Sequence, residues 1–166
     1  MARMSAGLIA ELKQEAETTR RQLSHVPDDQ LSWQPHEKSL SLGQLALHIA
    51  TTPGSVADLI TNLEVEPVAF GYPQPESMTE VMTALDQSVD NAAARLDSWD
   101  DQALMAEWRM AANGKTLMTT PRIGMVRAIM LNHWYHHGGQ LQVYLRLLGR
   151  HVPSVYGPTA DENPFQ

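Results

Sequence analysis

The chain has 166 residues, a formal net charge of −7 and no cysteine. The length predicts a single domain, residues 1–166, and the missing cysteine excludes disulfides, thiolate metal sites and a cysteine nucleophile. The negative net charge argues against binding to nucleic acid or to an anionic membrane, and so does the small number of lysines, which are Lys13, Lys38 and Lys115. Without a basic signal peptide or a bilayer-length apolar stretch, the sequence predicts a cytoplasmic protein.

Two helices are predicted in the first part of the chain. Apolar residues recur at three- to four-residue spacing from Ser5 to Leu23, which is typical of one buried helical face. A short helical turn is expected at Asp28–Leu31. The second helix is predicted from about Ser41 to about Asn62, with a kink or break at Pro53-Gly54.

The middle of the chain alternates between irregular and helical patterns. Glu64 to Pro75 is dense in proline and glycine, which predicts a loop. Ser77-Met78-Thr79-Glu80 has capping-box spacing, so a third helix is expected to begin there and to reach about Ser98. Within Asp100 to Thr119, a turn at Ala111–Lys115 predicts either a short hairpin or an extended loop.

The longest predicted helix runs from Thr120-Pro121, a suitable N-cap and first helical residue, to Gly149-Arg150. Gly138-Gly139 in its interior indicates close backbone packing or a local irregularity. Four helices of these lengths predict an all-α fold, a four-helix bundle with a long C-terminal helix. His151 to Gln166, punctuated by proline, predicts an irregular tail.

Two histidines of the last predicted helix, His133 and His137, are four residues apart and therefore lie one above the other. Their face is otherwise apolar, and His48 lies in a second apolar helical pattern, where an unpaired imidazole is costly. Three neutral histidines that meet in a helical bundle suit zinc, nickel or iron. His136 offers a competing pair with His133, although it points about 100° away from His137 around the helix. Gln140 either orients a ligand or packs between helices.

Several motifs together resemble one protein family. They are His133-x3-His137-x2-Gln140, Tyr144-Leu145-Arg146, Gly149, Pro153-x2-Tyr156-Gly157-Pro158, Trp33-x-Pro35 and Ser41-Leu42-Gly43-x4-His48. The pattern resembles the DinB-like family of the DinB/YfiT superfamily over residues 30–162. The resemblance implies a four-helix bundle, often a homodimer, and a divalent metal held by His48, His133 and His137; it favours His137 over His136.

The resemblance implies less about the reaction. The family takes its name from a DNA-damage-inducible member, and related branches include thiol-dependent S-transferases and an isomerase. It therefore implies a metal-dependent transferase or hydrolase, with zinc or nickel ahead of iron, that activates a water or an external low-molecular-weight thiol. The alternatives are a non-catalytic metal-binding protein and a dimeric interaction module. A zinc metalloprotease is excluded because Trp134 stands where that motif carries its glutamate base.

Overall fold

The computed structural model describes residues 3–69 and 71–165 of the chain. Its elements, in chain order, are α1 (Met4–Leu23), a 3₁₀ turn (Asp28–Gln30), α2 (Leu42–Leu59), β1 (Glu64–Val65), α3 (Met78–Ser98), α4 (Asp101–Met105), β2 (Glu107–Ala112), β3 (Lys115–Pro121), α5 (Arg122–Met125), a π-helical turn (Val126–Asn132) and α6 (His133–Leu147). Because α5, the π-helical turn and α6 follow one another without a gap, residues 122–147 are called the last helix below.

The start of α2 is fixed by a capping box. Ser41 Oγ accepts a hydrogen bond from the amide nitrogen of Gln44 (3.1 Å), and Gln44 Oε1 accepts one from the amide nitrogen of Ser41 (3.0 Å). The predicted start near Ser41 is therefore confirmed. The helix ends at Leu59, slightly before the predicted end at Asn62.

Pro53 lies inside α2, and the helix continues through it without a break. A proline supplies no amide hydrogen and disturbs the hydrogen bonding of the preceding turn, so neighbouring groups need other partners. Thr52 Oγ1 donates to the main-chain oxygen of His48 (2.6 Å), and the amide nitrogen of Gly54 donates to Ser88 Oγ of α3 (2.8 Å). These bonds give partners to groups on either side of the proline, and α2 continues where the sequence predicts a kink or break.

The third helix confirms the predicted boundaries. Ser77 Oγ accepts from the amide nitrogen of Glu80 (3.3 Å), as a cap should, and α3 ends at Ser98. The Glu80 carboxylate accepts from the amide nitrogen of Glu76 (2.8 Å) rather than from that of Ser77, so only half of the predicted capping box forms. The apolar face of α3 is buried at Val81, Leu85, Ala92 and Leu96 and half-buried at Val89.

The prediction of an all-α fold is wrong, because a small three-stranded mixed sheet accompanies the helices. β2 and β3 form an antiparallel hairpin around Asn113-Gly114, whose φ angles of 51° and 72° suit a two-residue hairpin turn. This confirms the hairpin alternative. β1 lies in the predicted loop and pairs in parallel with β2, with Glu64 opposite Arg109. The chain is thus mostly helical with a small sheet, and the four-helix bundle stays a prediction.

The last helix begins at Arg122, not at Thr120-Pro121 as predicted. Thr120 and Pro121 end strand β3, where they lie opposite Trp108 and Glu107. Pairing with β2 holds these two residues in extended conformation, so tertiary structure overrides the local signal for a helix start.

The other end of the last helix confirms the predicted role of Gly149. This glycine has a φ of 66°, which favours a residue without a Cβ atom. Its amide nitrogen donates to the carbonyl of Arg146 (3.0 Å), and that of Arg150 donates to the carbonyl of Leu145 (2.9 Å). This pair of bonds is a Schellman motif, which satisfies carbonyls that the helix leaves unpaired.

The irregular part of the last helix is the π-helical turn at Val126–Asn132, upstream of Gly138-Gly139. At Gly138 the close-packing alternative is confirmed, because an added Cβ atom would lie 3.0 Å from Gln22 Oε1 of α1. Gly139 has open space around it. The π-helical turn holds more residues than an α-helical turn and therefore rotates the face that the following residues present.

The core is continuous between the long helices. α2 packs against α3 and the last helix, and α1 packs against α3. Trp108 of β2 and Trp134 of α6 are among the largest fully buried side chains. Among the described residues, no helix is both long enough and apolar enough to cross a membrane.

Arg122 is a buried cation that joins the last helix to two other elements. Its Nε donates to the carbonyl of Ile60 (2.9 Å), and its two terminal nitrogens donate to the carbonyls of Thr61 (3.1 Å) and Ala103 (2.6 Å). The guanidinium carbon lies 4.7 Å from the ring centroid of Trp99. Burial lowers the pKa of Arg122, and the carbonyls at the end of α2 offset this cost because they carry partial negative charge.

We expect Arg122→Lys to lower the free energy of unfolding by roughly 2–4 kcal/mol, because one ammonium cannot reach three carbonyls in a fixed fork. The matched control is Arg95→Lys, in which an exposed arginine loses its contact with Asp58; exposed pairs contribute about 0.2–1 kcal/mol. Urea unfolding of the metal-free protein measures both. Equal losses in the two variants would contradict the role of Arg122.

Candidate metal centre

Three histidine side chains meet between α2 and the last helix. His48 comes from α2, and His133 and His137 come from the first turns of α6. Nε2 of His133 lies 3.1 Å from Nε2 of His48 and 3.1 Å from Nε2 of His137. All three side chains are half-buried, and their candidate ligand atoms lie within 4.8 Å of one another. The three residues that the sequence predicts as ligands are thus brought together, and we call them the histidine triad.

The geometry of the triad fits one shared ion. A zinc–imidazole bond is about 2.0–2.1 Å long, so two ligand nitrogens at a tetrahedral angle lie about 3.4 Å apart. The two short Nε2 separations, 3.1 Å each, are close to this value. The three rings are almost perpendicular to one another, with interplanar angles of 86°, 87° and 90°. Three imidazole nitrogens are a donor set that suits zinc, nickel and iron.

A chain of hydrogen bonds fixes the tautomer of His137. The Tyr144 hydroxyl donates to the carbonyl of Leu40 (3.3 Å) and accepts from Nε2 of Gln140 (3.4 Å). The remaining side-chain atom of Gln140, Oε1, lies 2.9 Å from Nδ1 of His137. An amide oxygen can only accept, so Nδ1 of His137 carries the proton and Nε2 carries the lone pair. Gln140 therefore orients His137 in the tautomer that a metal ligand needs.

With His137 in this tautomer, three neutral imidazoles cannot make both short contacts into full hydrogen bonds. If His133 donates from Nε2 to His137, its Nε2 has no lone pair left for His48. If Nε2 of His133 accepts from His48 instead, it faces His137 lone pair to lone pair at 3.1 Å. At most one of the two contacts is a full hydrogen bond in either arrangement, because a hydrogen on Nε2 of His133 is at best shared between two acceptors, whereas a cation between the nitrogens would be a partner for all three lone pairs.

Binding a proton between these nitrogens would be energetically costly. Burial, followed by repulsion from His137 and His133, lowers the pKa of His48 to about 4. Burial is also the largest cause of the lowered pKa of His133, and repulsion from His137 and His136 adds to it. Burial lowers the pKa of His137, although its hydrogen bond to Gln140 opposes the shift. The triad is therefore neutral near pH 7, which is the form that binds a metal ion.

His136 lies outside the triad. Its side chain is exposed, and its ring centroid is 6.5 Å from that of His133 and 5.1 Å from that of His137. Within the described residues, the histidine cluster in this region contains His48, His133 and His137 but not His136. The competing pair of His133 and His136 therefore lacks a third histidine.

Two features of the site have no clear signal in the sequence. The π-helical turn ends at Asn132, directly before His133, and it contains neither glycine nor proline. Such turns are frequent at functional sites because they change the direction of the side chains that follow. Tyr72, in the segment between β1 and α3, lies edge-on to His48 with ring centroids 5.3 Å apart. Its carbonyl accepts from Nε2 of Gln44 (2.8 Å) on α2, so a non-local contact holds this segment beside the triad.

We expect Gln140→Leu to weaken metal binding by roughly 10- to 100-fold, because His137 loses the acceptor that fixes its tautomer. The matched control is Gln142→Leu on the same helix, since Gln142 donates to the carbonyl of Pro153 in the tail. Competition with a chromophoric chelator measures both affinities. The orienting role is excluded if the two variants bind metal equally well.

The pH dependence of stability should reveal the neutral triad. The pKa of His48 is about 4 in the folded protein and about 6.5 in an unfolded chain. Between these values the unfolded state binds more protons, so the metal-free protein should lose stability as the pH falls from 7 to 5. Glu162, with its pKa lowered to about 2 by His151, the Ser154 amide and Arg21, acts mainly at lower pH.

We expect His48→Gln to give a shallower loss of stability over the same range, because glutamine does not titrate. Urea midpoints of the metal-free proteins at pH 7, 6 and 5 test this. Parallel curves for the wild type and the variant would show that His48 is not held neutral by folding.

Comparison with known proteins assigns the chain to a family. A sequence model of the DinB family matches residues 1–164. Protein YrdA of Bacillus subtilis (strain 168) is 27% identical over 153 residues, which cover 89% of this chain and 85% of YrdA. A DinB-like protein of Bacillus cereus ATCC 10987 has a similar crystal structure, with a TM-score of 0.73, 27% identity, and coverage of 94% of this chain and 100% of that one. The DinB-like protein YjoA of Bacillus subtilis shares the fold, with a TM-score of 0.68, 20% identity, and coverage of 90% and 96%. The chain therefore belongs to the DinB family.

Proposed function

We propose that His48, His133 and His137 bind one divalent metal ion through their Nε2 atoms, and that the protein is a metal-dependent enzyme of thiol S-transferase or hydrolase type. One observation carries the metal site: the two Nε2 contacts of 3.1 Å, which neutral imidazoles cannot both make into full hydrogen bonds. Zinc and nickel are the favoured ions, with iron as a third candidate.

The chemistry follows from what the chain supplies and what it lacks. When bound, the ion would act as a Lewis acid that lowers the pKa of a thiol or a water. Three imidazoles add no negative charge to the site, so the site favours an anionic partner such as a thiolate. The chain has no cysteine, so the thiol would be a separate low-molecular-weight molecule. Gln140 would keep the lone pair of His137 directed at the ion throughout.

The alternative is a non-catalytic metal-binding protein. The distribution of the three ligands over two different helices favours it. They come from α2 and from the last helix, which already pack together. An ion held between these helices would cross-link them and stabilise the fold without any reaction. The third possibility, a dimeric interaction module whose site has lost its chemistry, requires that the triad binds no metal.

The metal site is tested by counting ions. Wild-type protein loaded with zinc and passed through a desalting column should retain an ion that His133→Ala loses. The control is His36→Ala, because His36 is an exposed loop residue whose Nδ1 accepts only from the amide nitrogen of Lys38 among the described residues. If His133→Ala retains as much zinc as His36→Ala, the triad is not the site.

The reaction is tested with cobalt as a spectroscopic probe. Cobalt-loaded protein is mixed with a panel of low-molecular-weight thiols, and thiol consumption is followed after an electrophile is added. If the protein is a transferase, one of the thiols should change the visible spectrum of the bound cobalt, and the cobalt-loaded protein should consume that thiol faster than the metal-free protein does. If no thiol changes the spectrum and none is consumed faster, the S-transferase proposal fails.

Assembly as a homodimer is also part of the proposal. Its support is the family resemblance together with the uncharged residues 39–57, although burial within one chain explains the same composition. Light scattering at micromolar concentration should give twice the chain mass of 18.5 kDa. A mass near 18.5 kDa would contradict the dimer.

A further inference from the structure

A second cluster of potential metal ligands shares no residue with the triad. His25 follows the end of α1, His151 follows the end of α6, and Glu162 belongs to the tail. One ligand atom from each lies within 4.8 Å of the other two. We propose that His25, His151 and Glu162 form a second divalent-metal site, which fastens the tail to the ends of both helices.

The carboxylate of this cluster is already held in place. Oε2 of Glu162 accepts from the amide nitrogen of Ser154 (2.8 Å) and from the guanidinium of Arg21. Its main chain is also fixed, because the amide nitrogen of Thr159 donates to the carbonyl of Glu162 (2.8 Å). Oε1 contacts only Nε2 of His151 (2.7 Å) among the described residues. One carboxylate oxygen thus orients the group, and the other remains available to an ion.

The two imidazoles complete a recognised type of donor set. The ring centroids of His25 and His151 lie 4.8 Å apart. No hydrogen bond reaches the His25 ring from any other residue that the structure describes, so its lone pair has no competing partner. Two histidines with one carboxylate bind borderline divalent ions such as zinc, cobalt and iron. The cluster is therefore chemically distinct from the all-histidine triad.

Ion binding would replace a hydrogen bond. Nε2 of His151 donates a hydrogen bond to Oε1 of Glu162, so an ion between these two atoms would bind the tautomer of His151 that carries its hydrogen on Nδ1. The neighbouring guanidinium of Arg21 repels a cation, which predicts weaker binding than at the triad. Because the three ligands come from three separate segments, the site exists only when the tail is folded against α1, and binding must favour that arrangement.

The proposal is tested by zinc stoichiometry on the full chain with excess zinc at pH 7.5. Isothermal titration should give two ions for the wild type and for His36→Ala. It should give one for His25→Ala, one for His133→Ala and none for the double variant His25→Ala/His133→Ala.

His25→Ala is the informative variant, because it leaves the hydrogen bond between His151 and Glu162 in place. If His25→Ala binds as many ions as the wild type, the cluster is a hydrogen-bonded contact and not a metal site. A wild-type protein that binds only one ion would also show that the cluster is not a metal site. Since the ion lost in His133→Ala belongs to the triad, failure at one site is distinguishable from failure at the other.

Discussion

The site depends on one constraint, the approach of three imidazole nitrogens to a common point. Nε2 of His133 has two histidine neighbours at 3.1 Å, and the contact with Gln140 keeps the hydrogen of His137 on Nδ1, so the two contacts cannot both be full hydrogen bonds. Burial makes an added proton expensive, most clearly at His48, whose pKa falls to about 4. The fold thus brings three imidazole nitrogens to a position where a divalent cation is geometrically possible.

The rest of the structure keeps the two sides of the triad in register. His48 lies in a helix whose start is capped by Ser41 and Gln44, and His133 begins the regular part of the last helix. Arg122 holds the other end of that helix against the carbonyls that follow α2. At Gly138 an added Cβ atom would lie 3.0 Å from Gln22 Oε1, so the last helix and α1 are in close contact there. The triad is therefore built on rigid elements, which is what a preorganised site needs.

The sequence predicts those parts that depend on local spacing. The four-residue separation of His133 and His137 places them on one helical face, and the apolar stripe around His48 predicts that this side chain points inward. The helix end at Gly149 follows from local chemistry in the same way. These features need no knowledge of distant contacts.

The parts that the sequence does not predict arise from distant contacts. β1 is only two residues long and pairs in parallel with β2. It is too short to give a strand pattern in the sequence, so the sequence predicts an all-α fold, and that prediction is wrong. Thr120 would cap a helix in isolation, but pairing with β2 draws it into a strand. The role of Gln140 depends on Tyr144 and on Leu40, about a hundred positions earlier in the chain. The two alternatives for Gln140, orienting a ligand or packing between helices, can therefore be distinguished only from the three-dimensional structure.

The most direct test of the account is a crystal structure of zinc-loaded protein with anomalous data collected at the zinc edge. The account predicts an anomalous peak between α2 and the last helix, about 2.1 Å from Nε2 of each of His48, His133 and His137. It also predicts that Nδ1 of His137 still contacts Gln140. A peak coordinated through His136, or no peak at the triad in fully loaded protein, would contradict it.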